Sequence, residues 1–234
     1  NSKKLASNRF KEITNNLFSL PVQTFPGSCL FVAGNDTLRP GVDYLVDPAS
    51  AGVRSEMYEI VYCNAATLYR SVNAFKPCPK DRILVVNTTG FEADTNKVLQ
   101  TRLRELQTFA ATIELTSNKL TWSVSQQAKP YPSFQVLSKA FKAKPKYVFI
   151  DLESKFIPDF TSSNIVGYLP AAKKAKKKPY LVVTAHYDHL GKMGKDTYFP
   201  GANDNASGVG MLLYLAQQIS QQHDPNYNYV FIAF

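Results

Sequence analysis

Cysteine is scarce in this chain, with three residues among 234, and none stands in the Cys-x-x-Cys spacing of a zinc ribbon or redox motif. An odd count leaves at least one thiol unpaired within a single chain. Cys63 and Cys78 can close a disulfide if the protein is exported, and three free thiols, Cys29 included, are the equal alternative. Long apolar runs are missing as well. No stretch approaches the roughly 20 residues that cross a bilayer, so a soluble chain without a transmembrane segment is expected. The chain has no initiator Met, signal-peptide pattern or lipidation motif, so Asn1 is expected to be a processed end or an artificial boundary. A disorder signature is also absent, because 44% hydrophobic residues suffice for a real core.

Charge is present but lopsided, with 27 basic against 18 acidic residues and a formal net charge of +9. Much of the excess sits in one run, Lys173-Lys174-Ala175-Lys176-Lys177-Lys178. That run joins two apolar segments and lacks the interleaved aromatics of a base-stacking surface, so a solvated hairpin loop is expected and a nucleic-acid partner is not.

Three regions follow from the texture of the chain. Residues 1–21 carry a weak helical pattern over 5–20 (Phe10, Ile13, Leu17, Leu20), closed by Pro21. Residues 22–157 read as a β-rich domain, with strands at 29–33, 44–46, 59–62, 82–86, 111–115, 120–124, 134–137 and 147–150. One amphipathic helix interrupts them from Asn96, a candidate N-cap, to about Ala110, with Leu99, Leu103, Leu106 and Phe109 on one side. Arg39-Pro40-Gly41-Val42-Asp43 has the residues of a tight turn. Residues 158–234 read as strand (164–169), strand (180–185), helix (about 205–222) and strand (229–234). The first two strands are expected to form an antiparallel hairpin, and Met211, Leu212, Leu215, Ala216 and Ile219 to face the core.

The chemistry concentrates in two strings, Ala185-His186-Tyr187-Asp188-His189-Leu190-Gly191 and Gly201-Ala202-Asn203-Asp204-Asn205-Ala206-Ser207-Gly208. Tyr180-Leu181-Val182-Val183-Thr184-Ala185 reads as a strand buried on both faces, which delivers His186 to its C-terminal end, the edge where open parallel sheets bind ligands. Asp188 can accept the second ring N–H of His186 and orient it toward a metal. Asp204 precedes a helix whose positive end favours an ionised carboxylate, and the small residues after it permit close backbone approach. Each string has a structural reading too. A lone His-x-Asp is usually a hydrogen-bonded histidine at a strand end, and Asp204 or Asn205 can serve as a helix cap.

Together the strings resemble the co-catalytic zinc aminopeptidase family, which includes secreted bacterial aminopeptidases, glutamate carboxypeptidase and the transferrin receptor. The resemblance implies an α/β fold, part of a mixed, mostly parallel sheet with helices, and is similar upstream to a protease-associated domain. It implies that His186 binds zinc, that Asp188 orients it, that Asp204 bridges two zinc ions, and that the Asp204–Asn205 peptide is cis. It further implies a peptide substrate and a periplasmic or extracellular location. The general-base glutamate is expected beyond Phe234, outside this chain, so the isolated chain is expected to hold zinc weakly and to lack peptidase activity. A non-catalytic receptor on the same scaffold is the alternative from another class, and a glutaminyl cyclase is a third reading. His189 is expected to cover the site or contact substrate, His223 to be structural, and Glu92, Asp94, Asp151 and Glu153 to have no role in the chemistry. Oligomeric state is not legible.

Overall fold

The computed structural model describes residues 10–141, 144–171, 178–222 and 224–234. The lysine run as far as Lys177, His223 and the first residues of the expected N-terminal helix lie outside the described residues. Two units emerge. A terminal unit takes in the N-terminal residues as far as Leu20, with Asp159–Gly191 and Phe199–Phe234; a central unit takes in Pro21–Pro158 and Lys192–Tyr198.

The described N-terminal segment is strand β1 (Glu12–Gln23), where a helix over 5–20 was expected. Apolar residues there are too sparse to bury a helical face, and the strand gains the ladder of a sheet neighbour instead. Its Pro21 is tolerated because β1 is a sheet edge.

The central unit contains β2 (Cys29–Ala33), β3 (Asp36–Leu38), β4 (Tyr44–Val46), β5 (Val53–Tyr62), α1 (Ala65–Arg70), β6 (Arg82–Asn87), α2 (Ala93–Leu106), β7 (Ala111–Thr116), β8 (Ser133–Leu137) and β9 (Tyr147–Leu152). The strands form one sheet in the order β3-β2-β9-β5-β6-β7-β8-β4. Neighbours from β5 to β8 are parallel, and the flanking pairs are antiparallel. Parallel neighbours need a crossover, which α1 supplies between β5 and β6 and α2 between β6 and β7. All six residues of β7 are buried, as a strand flanked on both sides requires. Leu99, Leu103 and Leu106 of α2 pack with Leu68, Leu84 and Val86, so the helical spacing identified the right face.

Two expectations fail here. The helix begins at Ala93, with Glu92 before it; Asn96 lies inside its first turns and donates its backbone N–H to the Glu92 carbonyl. Leu120–Val124 forms no strand. Its Trp122 is instead anchored by its indole, whose Nε1 donates to the Val46 carbonyl at 2.8 Å, which holds the segment without a ladder. The Arg39–Asp43 turn is present, with Gly41 at φ +75 and Val42 N–H donating to the Arg39 carbonyl.

The terminal unit adds β10 (Phe156–Leu169), β11 (Tyr180–Ala185), α3 (Ser207–Gln221) and a last strand; the short β12 (Gly191–Met193) and β13 (Thr197–Phe199) lie between β11 and α3. The last strand, β14 (Asn228–Ala233), sits between β10 and β11, antiparallel to the first and parallel to the second. The expected β10–β11 hairpin therefore does not form. A middle position gives β14 ladders on both sides and buries Tyr229 and Phe231 with Leu169, Ala185, Leu212 and Ala216. The sheet is mixed, and β11 is its edge among the described residues. Tyr180, Leu181 and Val182 are accordingly exposed, against the expectation of a strand covered on both faces. Met211 is also exposed rather than inward, because the buried stripe of α3 runs through Val209, Leu212, Ala216 and Ile219.

Replacement of Leu103, 3% exposed in the central core, by Ala is expected to lower stability by roughly 2–5 kcal/mol in urea unfolding. Met211→Ser should shift it by no more than about 0.5 kcal/mol. Equal effects at the two positions would contradict the burial assigned to them.

Candidate metal centre

Strand β11 ends at Ala185, paired with Ala233 of the parallel β14. The ladder continues past both ends, because Phe234 N–H donates to the Ala185 carbonyl at 3.0 Å and Tyr187 N–H to the Phe234 carbonyl at 2.9 Å. Tyr187 is fixed further by its hydroxyl, which donates to the Ser163 carbonyl at 2.9 Å. His186 thus sits between two anchored residues at the C-terminal edge of a parallel strand pair. Its Nδ1 lies 3.2 Å from both the carboxylate and the backbone carbonyl of Asp188. Its Nε2 lies 3.0 Å from Asp204 Oδ1. The Asp188 backbone carbonyl raises the affinity of the ring for a proton; partial desolvation opposes this, and the Asp188 and Asp204 carboxylates reinforce it.

The second string reaches this point through a turn that only glycine can make at its start. Gly201 has φ +66, and a Cβ there would come within 2.7 Å of the His189 ring and 2.9 Å of the Asp204 carbonyl oxygen. His189 itself is committed to the fold, its Nδ1 lying 2.8 Å from the Phe199 carbonyl. Asp204 and Asn205 depart from helical angles, with a cis peptide bond between them as the resemblance implied.

The division of labour between these neighbours resolves the capping question. Asn205 Oδ1 accepts the backbone N–H of Gly208 at 3.1 Å, in the first turn of α3, and a side chain on Gly208 would collide with that amide. Asn205 is the cap. Asp204 is left with its carboxylate turned to His186, and its side chain is 76% exposed. Ser207 Oγ donates to the Asn203 carbonyl at 2.8 Å and braces the turn. Gly201 escaped the sequence reading, although a glycine opening the Asn-Asp-Asn string was the available signal.

One imidazole nitrogen and one carboxylate oxygen, each the terminus of its own segment, converge on a shared point. Nitrogen plus carboxylate oxygen is a donor set suited to zinc. Among the described residues no cluster of three or more His, Cys, Asp or Glu forms a complete metal cage. Of the carboxylates given no role by the sequence, three in the central unit have other neighbours: Asp94 pairs with Lys97, Asp151 accepts the Ser55 N–H, and Glu153 lies against Gly27. Cys29, Cys63 and Cys78 are free thiols. Burial pushes Cys29 up to about 11 and Cys63 up to about 12, so neither is a ready thiolate.

Residues 164–234, which include both strings, match the model of Peptidase family M28. Among curated proteins, the uncharacterized protein YfbL of Escherichia coli (strain K12) is 50% identical over 46 residues, covering 19% of this chain and 14% of that protein. Among solved structures, the zinc aminopeptidase BSAP from Bacillus subtilis aligns with 99% of this chain and 52% of its own at TM-score 0.63 and 19% identity. The aminopeptidase from Aneurinibacillus sp. strain AM-1 aligns with 99% of this chain and 54% of its own at TM-score 0.59 and 17% identity. A peptidase M28 precursor from Shewanella amazonensis SB2B gives 99%, 56%, TM-score 0.61 and 16% identity in the same terms. The chain spans about half the length of these solved relatives, and at such identities the likeness is one of fold. The likeness to Peptidase family M28 is thus carried by residues 164–234, the segment that holds both strings.

Proposed function

We propose that this chain is part of a zinc-dependent exopeptidase, an aminopeptidase that removes N-terminal residues from peptides. In this reading His186 and Asp204 would hold zinc, with Asp204 shared between two ions, and Asp188 would orient His186. The observation that carries it is the 3.0 Å approach of His186 Nε2 to an Asp204 carboxylate that has no capping duty. A histidine kept only for packing has no reason to face an exposed carboxylate across two separate segments.

The donors present fit zinc. With Nδ1 bound to Asp188, the tautomer with a lone pair on Nε2 is favoured, which is the form a cation needs. The Asp204 carboxylate is acceptor-only when ionised and has oxygens enough for two cations. Zinc, when bound, supplies Lewis acidity toward the scissile carbonyl and the attacking water. Among the described residues only Asp188 and Asp204 place carboxylates on His186, so the general base is proposed to come from outside them. Among the described residues no helix is long and apolar enough to cross a membrane, and a periplasmic or extracellular site of action remains part of the proposal. The receptor alternative is less well supported, because ligand recognition alone gives no reason to place both metal donors together.

In the whole protein, release of p-nitroaniline from aminoacyl p-nitroanilides should stop on chelation and return with zinc. Asp188→Asn should lower zinc affinity and kcat/KM by about 10–100-fold, as loss of an orienting partner does, and His186→Ala or Asp204→Ala by more. Hydrolysis that survives chelation, or that is unchanged in H186A, would exclude this function.

The 234-residue chain alone is expected to bind zinc weakly and to hydrolyse none of these substrates, since a catalytic zinc generally takes three protein ligands. Competition against a chromophoric chelator measures this. Tight binding that persists in H186A would place the metal elsewhere.

A further inference from the structure

A second feature, independent of the metal centre, lies wholly within the central unit. Glu114 on β7 is only 8% exposed, yet no cationic group among the described residues stands within ion-pair distance of it. Its carboxylate accepts from the Thr88 hydroxyl at 3.0 Å and the Gln135 amide at 3.1 Å, and from the Gln100 amide. Two of these donors are amide NH₂ groups, which suit a carboxylate acting as acceptor. They satisfy its geometry and leave its charge uncompensated.

The carboxylate borders a cavity of about 140 Å³, shared with Gln107, Trp122, Phe134, Asp47 and Thr121. Gln107, also 8% exposed, lines the same cavity. Asp47 on the rim is already paired with Lys129. Thr121 is exposed and marks the mouth.

We propose that this cavity binds a small organic ammonium ion: its charged head would lie against Glu114 and the Gln107 carbonyl, and its alkyl part between Trp122 and Phe134. The volume is close to the roughly 150 Å³ that accommodates a benzene-sized guest, which limits the ligand to a short alkylammonium group. Aromatic walls favour a cation over a neutral guest of equal size. A bare divalent metal is a poorer fit, since it needs six or more oxygens while two amide NH₂ groups and two aromatic rings occupy the lining. The probe is n-propylammonium chloride.

Trp122 is the chain's single tryptophan and lines the cavity, so its fluorescence reports occupancy directly. Titration of the full chain with n-propylammonium chloride at constant ionic strength should give a saturable change. Neither 1-propanol nor sodium chloride should reproduce it. Glu114→Gln should weaken binding at least about tenfold, the effect of removing the charge, and Gln107→Met should weaken it with the urea midpoint preserved. A response that never saturates, an equal response to 1-propanol, or wild-type affinity in folded E114Q would overturn the proposal. If E114Q fails to fold, wild-type affinity in Q107M overturns it instead.

Discussion

The candidate metal centre depends on which of two adjacent side chains satisfies the start of α3. The first turn of any helix exposes backbone N–H groups that need acceptors, and its positive end attracts carboxylates. Asp204 was therefore at risk of becoming an ordinary cap. Asn205 supplies the acceptor instead, taking the Gly208 N–H, and the missing side chain of Gly208 makes room for it. An amide cap leaves the neighbouring charge free, which is why the carboxylate can turn to His186 and remain largely exposed.

Topology supplies the other half of the convergence. Because β11 and β14 run parallel, their C-terminal ends finish together, and the chain leaving β11 turns over the sheet edge toward the start of α3. The crossover from β11 through α3 to β14 is the unit that brings His186 within 3.0 Å of a residue eighteen positions later. Anchors on either side of His186, through Ala185, Tyr187 and Phe234, restrict how far its backbone can drift. Gly201 does the same for the second segment by allowing a left-handed turn against His189.

Much of this was legible locally. The strands at 29–33, 82–86, 111–115 and 147–150 and the buried face of α2 could be read from composition and spacing, because each is a short segment whose pattern matches one period. The site strings stood out for a different reason: read alone, each fitted a strand end or a helix cap, and only the resemblance joined them into one candidate site. The N-terminal strand was not legible, because Ile13, Leu17 and Leu20 fit a helix as well as an edge strand, and only the availability of β10 as a neighbour decides. Trp122 misled for a similar reason, since a tryptophan among alternating residues resembles a strand even when a side-chain hydrogen bond from its indole anchors the segment.

What the sequence by itself determined is the supply of donor groups: an imidazole at a strand end, a carboxylate two residues on and a second carboxylate beside a helix start, together with the residue types that make the parallel core. Tertiary structure alone decided the pairing. A strand's partners are chosen by burial over the whole sheet, so β14 displaced the expected β10–β11 hairpin. Competition between Asp204 and Asn205 for one backbone N–H was likewise settled by the space left at Gly208. Both outcomes depend on atoms far apart along the chain, and no local pattern carries that information.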